Sequence, residues 1–357
     1  MILVRRRDRK GLAILIVLSI LILLSTMAYS FHDLVASNLA ISRKDVDRFR
    51  ALQLAQAGLN LAITLLKLDH QFTGSYTFLP DPNWLAKQTE AGKSPSKIEE
   101  VYLLLRASEA AGMPLENGSV SVAIRDELGR FNLNAAEQAP DFLLNLLRVA
   151  NVRKRKKLVF SDTTAADDVS MQLANSILDW LDKDANSRPE GAESSYYSER
   201  TPSYRARNGP FESIDELMLV RHMDRSMMNG VPSSDTMPGS LAIKELVTIH
   251  GASPIVNVNS ASPEVLAAVP GIFESPSRQE LVTKLIASRP IRDPGGISAA
   301  MSTVDSGALA RAARFLGTKS TLLRIRVKAK LGSYEGLVET VVQREVDQMR
   351  YLYWREQ

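Results

Sequence analysis

Cysteine is absent from this 357-residue sequence, which excludes a disulfide scaffold, thiol catalysis and zinc sites built on thiolate ligands. Histidine is scarce, and no two of the four histidines lie four residues apart around a glutamate, so a metalloprotease helix is excluded. A P-loop is also missing, because Lys87 stands where that motif needs the glycine upstream of Gly92-Lys93-Ser94. The sequence therefore predicts a protein that is not an enzyme.

An excess of charge of one sign is missing from most of the chain. The 44 Lys and Arg residues exceed the 40 Asp and Glu residues by four. Residues 1–10 carry five basic side chains and one aspartate, which is the whole surplus, so residues 11–357 sum to zero. A protein that binds duplex DNA usually carries positive charge on its folded body. The charge pattern therefore argues against a nucleic-acid partner.

A long apolar run, LAILIVLSILILLSTMAYSF, occupies residues 12–31. It contains neither a charge nor a proline, and as a helix it would span about 30 Å, the thickness of a bilayer's hydrocarbon core. Because basic residues directly precede it, the positive-inside rule places the first ten residues in the cytoplasm. The chain after the apolar run then lies on the other side of the membrane. We therefore predict one transmembrane helix over 12–31.

A cleaved secretory signal is the alternative interpretation of this segment, with Thr26-Met27-Ala28 as the cleavage site. The apolar run is longer than the core of a usual signal, and a helical pattern continues beyond it. That pattern is a seam at spacings of three and four, formed by Phe49, Leu52, Gln56, Leu59, Ile63 and Leu66. The sequence thus favours one long helix, in which 32–68 packs on a soluble domain.

Strand patterns lie in two widely separated places. Residues 119–125 alternate between apolar and polar side chains, and residues 323–331 do so with basic residues in the polar positions. A turn at Gly332-Ser333 leads into a returning strand at 337–344, and 349–354 adds a third. The sequence predicts an α+β fold, in which the N-terminal helix packs on an antiparallel sheet that carries a large inserted α-helical domain.

The predicted domain boundaries follow these patterns. Residues 69–126 form the first part of the α/β domain, with a turn-rich connection at 70–97, while 127–317 form the insert and 318–357 the C-terminal strands. Helices within the insert are predicted at 140–157, 166–183, 213–223, 262–269, 277–288 and 305–316. The stretch 226–240, rich in Met, Ser and Pro, is interpreted as a surface loop.

An acidic loop follows the predicted helix 166–183. Asp182, Asp184, Asn186 and Glu193 occupy positions 1, 3, 5 and 12 of a twelve-residue frame, which is the oxygen spacing of an EF-hand calcium loop. Aspartates at a helix C-terminus face its negative end and repel each other, and a divalent cation relieves both effects. Ser187 replaces the turn glycine, which argues against a paired EF-hand and leaves a solvated acidic turn as the alternative.

Glu193 in register makes calcium as good an interpretation as the solvated turn, and the spacing alone leaves both open. Asp179, one helical turn before Asp182, and Asn208 are predicted as further ligands.

Residues 209–223 and 254–272 resemble pieces of the helix-hairpin-helix motif, which binds DNA phosphates through the N–H groups of a Gly-rich hairpin. Only Gly271 of the two expected glycines is present, and the acidic Glu274 follows it. A structural role is therefore favoured, in which Ser260 or Ser262 caps a helix that begins at Pro263.

The junction Arg9-Lys10-Gly11-Leu12 resembles a type IV prepilin leader, which a membrane peptidase cuts after the glycine. Most proteins with this leader have a glutamate five residues after the cut, where this chain has Ile16, and K-type minor pseudopilins share that departure. Further segments look like the same family: 126–134 (DELGRFNLN), 179–184 (DWLDKD), 191–193, 202–208, 257–262 and 354–356. Together they make the chain similar to the GspK family of the type II secretion system.

The resemblance implies a pseudopilin fold with an inserted α-domain that binds calcium. It implies that 1–11 is a leader processed between Gly11 and Leu12 by prepilin peptidase, and that a single-pass inner-membrane protein with a periplasmic body results. The expected place is the tip of a short filament, with I- and J-type minor pseudopilins as partners and secreted cargo as a further contact. The expected role is priming of filament assembly for export across the outer membrane. A minor pilin of a type IV pilus and a competence-type helix-hairpin-helix protein are the alternatives.

Overall fold

The computed structural model describes residues 8–73, 105, 107–115, 118–152, 164–231, 241–345 and 348–357. Helix α1 (Asp8–Thr73) runs without a break from the basic cluster through the apolar run and onto the folded body. Its apolar part is long enough to cross a membrane, and none of the most apolar stretch is buried by the rest of the chain. The prediction of one continuous helix is confirmed.

Nine strands lie in the part of the chain that the structure describes. They are β1 (Met113–Leu115), β2 (Gly118–Asp126), β3 (Phe131–Asn132), β4 (Val247–Thr248), β5 (Val256–Asn257), β6 (Leu316–Gly317), β7 (Leu322–Leu331), β8 (Tyr334–Arg344) and β9 (Met349–Glu356). Five of them form one antiparallel sheet in the order β1-β2-β7-β8-β9, while β3 pairs with β4 and β5 with β6 in short parallel ladders.

Alternating side chains give this sheet one covered face. In β7, Leu323, Ile325 and Val327 are buried, whereas the basic residues between them are half-buried or exposed. Val327 lies opposite Val122 of β2 and Val338 of β8, which sets the register of the three central strands. The predicted strands at 119–125, 323–331, 337–344 and 349–354 are all present, and the predicted α+β fold class is confirmed.

Helix α1 covers the apolar face of the sheet with alanines and large aliphatic side chains. Its buried positions are Ala51, Ala55, Leu59, Ala62, Ile63, Leu65 and Leu66. The predicted seam was wrong at its start, because Phe49 is exposed and Leu52 and Gln56 are only partly buried. The prediction followed the large apolar residues, whereas the sheet contacts the alanines, which let the two backbones approach closely.

Two glycines mark this close approach. A Cβ atom on Gly336 of β8 would lie 2.6 Å from the carbonyl carbon of Ala51, and one on Gly58 would lie 2.8 Å from Cγ1 of Val120. Both distances are shorter than real Cβ contacts allow. Only glycine therefore permits the helix to lie this near the strands.

Ten α-helices have both ends within the described residues, and residues 107–111 are also helical. After α1 they are α2 (Pro140–Val152), α3 (Thr164–Leu181), α4 (Ser194–Ser198), α5 (Arg225–Asn229), α6 (Ile243–Leu246), α7 (Pro263–Ala268), α8 (Arg278–Ala287), α9 (Pro294–Ala300) and α10 (Ser306–Ala313). Helices α2 to α10 lie between β2 and β7 in sequence and pack around an apolar core that is separate from the one under α1. Phe131 and Phe142 meet in that core with ring centroids 4.8 Å apart.

Several predicted elements of the insert differ from the structure. The helix expected at 213–223 is a shorter 3-10 helix, Ile214–Leu219, which begins with a capping box between Ser213 and Glu216. The surface loop expected at 226–240 is wrong at its start, because Met227 is buried in α5, where Asp224 caps the helix. Residues 232–240, and the predicted turn-rich stretch beyond 73, lie outside the described residues.

A buried polar junction joins the insert to the sheet. Glu127, directly after β2, is fully buried and forms ion pairs with Arg324 (2.7 Å) and Arg130 (3.2 Å). Burial alone would raise the pKa of Glu127, but the hydrogen bonds and charge of Arg324 hold it below its ordinary value. Arg324 also pairs with Glu339 of β8 at 2.7 Å. One guanidinium therefore compensates both carboxylates, with Arg130 as a second partner of Glu127 and Arg326 as a second partner of Glu339.

The insert leaves the sheet at the end farther from the membrane segment. Gly336 lies against Ala51, early in the packed part of α1, whereas Arg344 donates a hydrogen bond of 3.0 Å to the carbonyl of Leu66, much later in the helix. Asp126, where the chain enters the insert, pairs with Leu323 at this second end. The helical domain is thus held away from the bilayer that α1 would cross.

Candidate metal centre

Three carboxylates from the end of α3 and the loop between α3 and α4 converge in the insert. Asp179 lies in the last turn of α3, Asp182 directly follows that helix, and Glu193 directly precedes α4. Each offers an oxygen within 4.8 Å of the others. All three residues are buried, with exposed fractions of 0%, 7% and 3%. We call this set the acidic triad.

The loop 183–192 wraps around Asp179. The backbone N–H of Arg188 donates to Asp179 Oδ2 at 3.1 Å, and the Ser187 hydroxyl donates to the same oxygen at 3.4 Å. Gly191 passes so close that any Cβ there would collide with Asp179 Oδ2. The need for glycine at 191 thus comes from its contact with a candidate ligand.

Several buried oxygens at this site have no hydrogen-bond donor. Within the described residues, Asp182 Oδ1, both carboxylate oxygens of Glu193 and Asn208 Oδ1 are buried and unpaired. An unpaired buried acceptor costs about 1–3 kcal/mol, and more when it is charged. Carboxylate and amide oxygens are the ligands that Ca²⁺ prefers. The residues present therefore fit a hard divalent cation.

Electrostatics point the same way. Burial and the nearby charges of Asp182 and Asp179 raise the pKa of Glu193 from 4.5 to about 7. A positive ion among the three carboxylates would reverse this effect. Without such an ion, Glu193 is only partly ionised at neutral pH.

A pH dependence follows for the protein in chelator. Because the pKa of Glu193 is about 7 in the folded state and 4.5 as its ordinary value, the folded state binds its proton more tightly. This contribution to stability is highest below pH 4.5 and is lost as the pH rises through 7, by at most about 3 kcal/mol. We expect the melting temperature of wild type to fall across this range relative to that of Glu193→Gln. Parallel curves for the two proteins would contradict the expectation.

The other predicted ligands lie apart from the acidic triad. Asp184 and Asn186 are exposed, and Asp184 Oδ1 accepts a hydrogen bond of 2.7 Å from the backbone N–H of Asn186. Asn208 lies beside the same loop, since its Nδ2 donates to the carbonyl of Asp184 at 2.9 Å. The structure thus unites Asp179, Asp182 and Glu193 of the predicted set and leaves Asp184 and Asn186 outside this cluster.

Aromatic residues pack against one another next to the acidic triad. Trp180 and Tyr197 are buried and meet edge to face at 5.2 Å, and Tyr204 stacks on Tyr197 at 5.1 Å. The Tyr197 hydroxyl accepts a hydrogen bond from the backbone N–H of Arg221 at 3.1 Å. These rings hold the end of α3 near α4, and the three carboxylates lie at this junction.

The structure also shows where the Gly11–Leu12 junction and the segment that resembles a helix-hairpin-helix motif lie. Gly11 and Leu12 lie inside α1, three and four residues after its first residue. At the hairpin after α7, the backbone N–H of Gly271 donates to the carboxylate of Glu274. That side chain occupies an amide that a helix-hairpin-helix motif would offer to a phosphate.

Comparison with known proteins gives a consistent result. A family model described as type II secretion system (T2SS), protein K matches residues 129–232, which include the acidic triad. Three curated relatives named type II secretion system protein K also match. The Pseudomonas aeruginosa protein is 26% identical over 74% of this chain and 69% of its own length. The Klebsiella pneumoniae protein is 24% identical over 74% of this chain and 70% of its own length. The Pectobacterium carotovorum protein is 22% identical over 62% of this chain and 61% of its own length.

These matches make the chain similar to type II secretion system protein K, the GspK protein. A chain from the crystal structure of the GspK–GspI–GspJ complex of the enterotoxigenic Escherichia coli type 2 secretion system has the same fold. It matches 88% of this chain and 99% of its own length with a TM-score of 0.62 at 19% identity. The predicted GspK resemblance is confirmed, and α1 fits the single-pass anchor of such a pseudopilin.

Proposed function

We propose that this protein is a minor pseudopilin that assembles with I- and J-type minor pseudopilins at the tip of a type II secretion filament. The similarity to type II secretion system protein K supports the secretion system, and the related fold was solved as a GspK–GspI–GspJ complex. In this proposal the protein primes filament assembly in the inner membrane, with its body in the periplasm. It supports export across the outer membrane without catalysing a reaction.

The observation that carries this proposal is an unpartnered apolar face on α1. Between the membrane segment and the sheet, Val35, Leu39, Val46 and Phe49 are exposed. At about 100° per residue they lie on the side of the helix opposite Ala51, Ala55 and Leu59, which face the sheet. The chain's own sheet therefore cannot cover them. Each such side chain, once buried, contributes roughly 1.5–3 kcal/mol, so a partner helix gains from packing here.

Charges on this face should prevent assembly. We expect Val46→Asp with Phe49→Asp to reduce co-purification with the I- and J-type partners at least tenfold, because two carboxylates would be buried in a helix interface. Ala40→Asp is the matched control, since it adds a charge to the same exposed part of α1 on another side. Equal recovery of the partners with the double variant would contradict the proposed interface.

The tip position is supported by where the insert lies. It leaves the sheet at the end away from the membrane segment, where another subunit would have to stack. A domain of this size there would block further addition above it. The same surface is the part of the molecule best placed to meet secreted cargo.

Processing between Gly11 and Leu12 by prepilin peptidase is the second part of the proposal. A cut at this point would keep the whole apolar run and remove the basic cluster. We expect the mature chain to begin at Leu12 and Gly11→Val to accumulate uncut, both measured by intact mass. Normal maturation of Gly11→Val, or a chain that begins beyond residue 28, would contradict it.

Calcium is the proposed ion of the acidic triad. Asp179, Asp182 and Glu193 would hold it, with Asn208 as a further oxygen donor beside the same loop. When bound, the ion supplies positive charge that neutralises the buried carboxylates. The side chains of the triad then fix the end of α3 against the start of α4, which makes the ion structural.

A further inference from the structure

Arg188 already places a positive charge in the acidic triad. Its Nη1 atom lies 2.8 Å from Asp179 Oδ1 and also forms an ion pair with Asp182 Oδ2. Its side chain is 35% exposed, whereas the side chains of the two aspartates are almost completely buried. One guanidinium thus bridges two of the three candidate ligands from the solvent side.

This guanidinium compensates the aspartates but not Glu193. Both Glu193 carboxylate oxygens remain without a donor, as does Asp182 Oδ1. An incoming divalent ion would use the unpaired oxygens of Glu193 and Asp182. It would also draw on Asp179 Oδ1 and Asp182 Oδ2, which Arg188 holds. The ion and the guanidinium therefore compete for the same acceptors.

We propose that Arg188 is a built-in competitor of the cation, which holds the aspartate pair when the ion is absent and withdraws to solvent when the ion binds. The inference rests on the calcium site proposed above. Withdrawal is feasible because the guanidinium lies at the exposed edge, so no unpaired charge stays buried. The Arg188 guanidinium carries one positive charge and contacts two carboxylates, whereas the divalent ion carries two and can contact all three.

Two consequences distinguish a competitor from a positioning residue. A competitor lowers the affinity for calcium and stabilises the ion-free protein. Its removal should therefore increase the difference in melting temperature between the calcium-bound and the ion-free protein. A residue that orients the aspartates for the ion would instead raise the affinity for calcium. Its removal would decrease that difference in melting temperature.

Titration calorimetry with calcium chloride on the full chain in detergent tests the proposal. We expect Arg188→Gln to bind Ca²⁺ about tenfold more tightly than wild type, since neutral glutamine cannot pair with both carboxylates. We also expect a lower melting temperature in chelator and an unchanged one in calcium. Arg205→Gln, an exposed change of equal charge in the same domain, is the matched control and should behave like wild type.

The outcomes separate this inference from the site itself. Equal or weaker binding by Arg188→Gln overturns the competitor role and leaves the calcium site intact. No binding by wild type or the variant overturns both. If the variant folds only in calcium, its ion release into a fluorescent chelator can be timed instead. Slower release than wild type supports the proposal, and equal or faster release overturns it.

Discussion

Calcium is expected to raise the melting temperature of the chelator-treated protein by about 5–10 °C. The reason is the set of buried, unpaired oxygens on Asp182 and Glu193, which an ion would satisfy. An ion at one hundred times its dissociation constant stabilises a protein by about 2.7 kcal/mol. For a domain of this size each kcal/mol shifts the melting temperature by about 2–4 °C.

The double variant Asp182→Asn with Glu193→Gln should lose this shift, because it removes two of the three negative charges. Glu199→Gln, an exposed change just beyond α4, should keep it. Asp184→Asn should also keep most of it if the triad, rather than the twelve-residue frame, holds the ion. A wild-type melting curve that is the same in calcium and in chelator would refute the site.

Arg324→Met is expected to destabilise the fold by about 3–5 kcal/mol, which is the usual effect of breaking a buried ion pair from one side. It would leave Glu127 and Glu339 without their shared guanidinium. Burial alone raises the pKa of Glu339, but Arg324 and Arg326 together hold it below its ordinary value, as Arg324 does for Glu127. Urea unfolding of the full chain in detergent measures the loss.

The matched control is Arg326→Met, on the same strand and also paired with Glu339. Its side chain is 51% exposed, so its pair should contribute less than about 1 kcal/mol. The pH dependence gives a second test. Because both carboxylates have lowered pKa values, their contribution in wild type is present above about pH 4.5 and lost as the pH falls. Equal losses of unfolding free energy from Arg324→Met and Arg326→Met would mean that burial does not strengthen the ion pairs of Arg324.

The fold could be predicted from the sequence where the pattern is strong. The alternation at 323–331 and the uncharged run at 12–31 each specify one element type, and the structure contains both. The short elements could not be predicted, because α6 and the two-residue strands β4 and β5 depend on contacts with distant parts of the chain. The sheet-facing side of α1 was misjudged because its alanines carry no hydrophobic signal that stands out.

The acidic triad was predictable in composition but not in geometry. Helical spacing places Asp179 one turn before Asp182, and the structure brings carboxylate oxygens of the two residues within 4.8 Å of each other. The twelve-residue frame placed Asp184 and Asn186 with them, but the local turn between these two residues points them to solvent. Arg188 was missed because a basic residue inside an acidic loop reads as an ordinary surface charge until its distance from Asp179 is known.

The insert enters and leaves the sheet through neighbouring strands, since Asp126 and Leu323 are paired. Tension applied along α1, as when a subunit is drawn out of the bilayer, would pass into the strands through the alanine contacts. It would not cross the helical domain, because both of that domain's attachment points move together. The domain that carries the acidic triad would thereby be insulated from such tension.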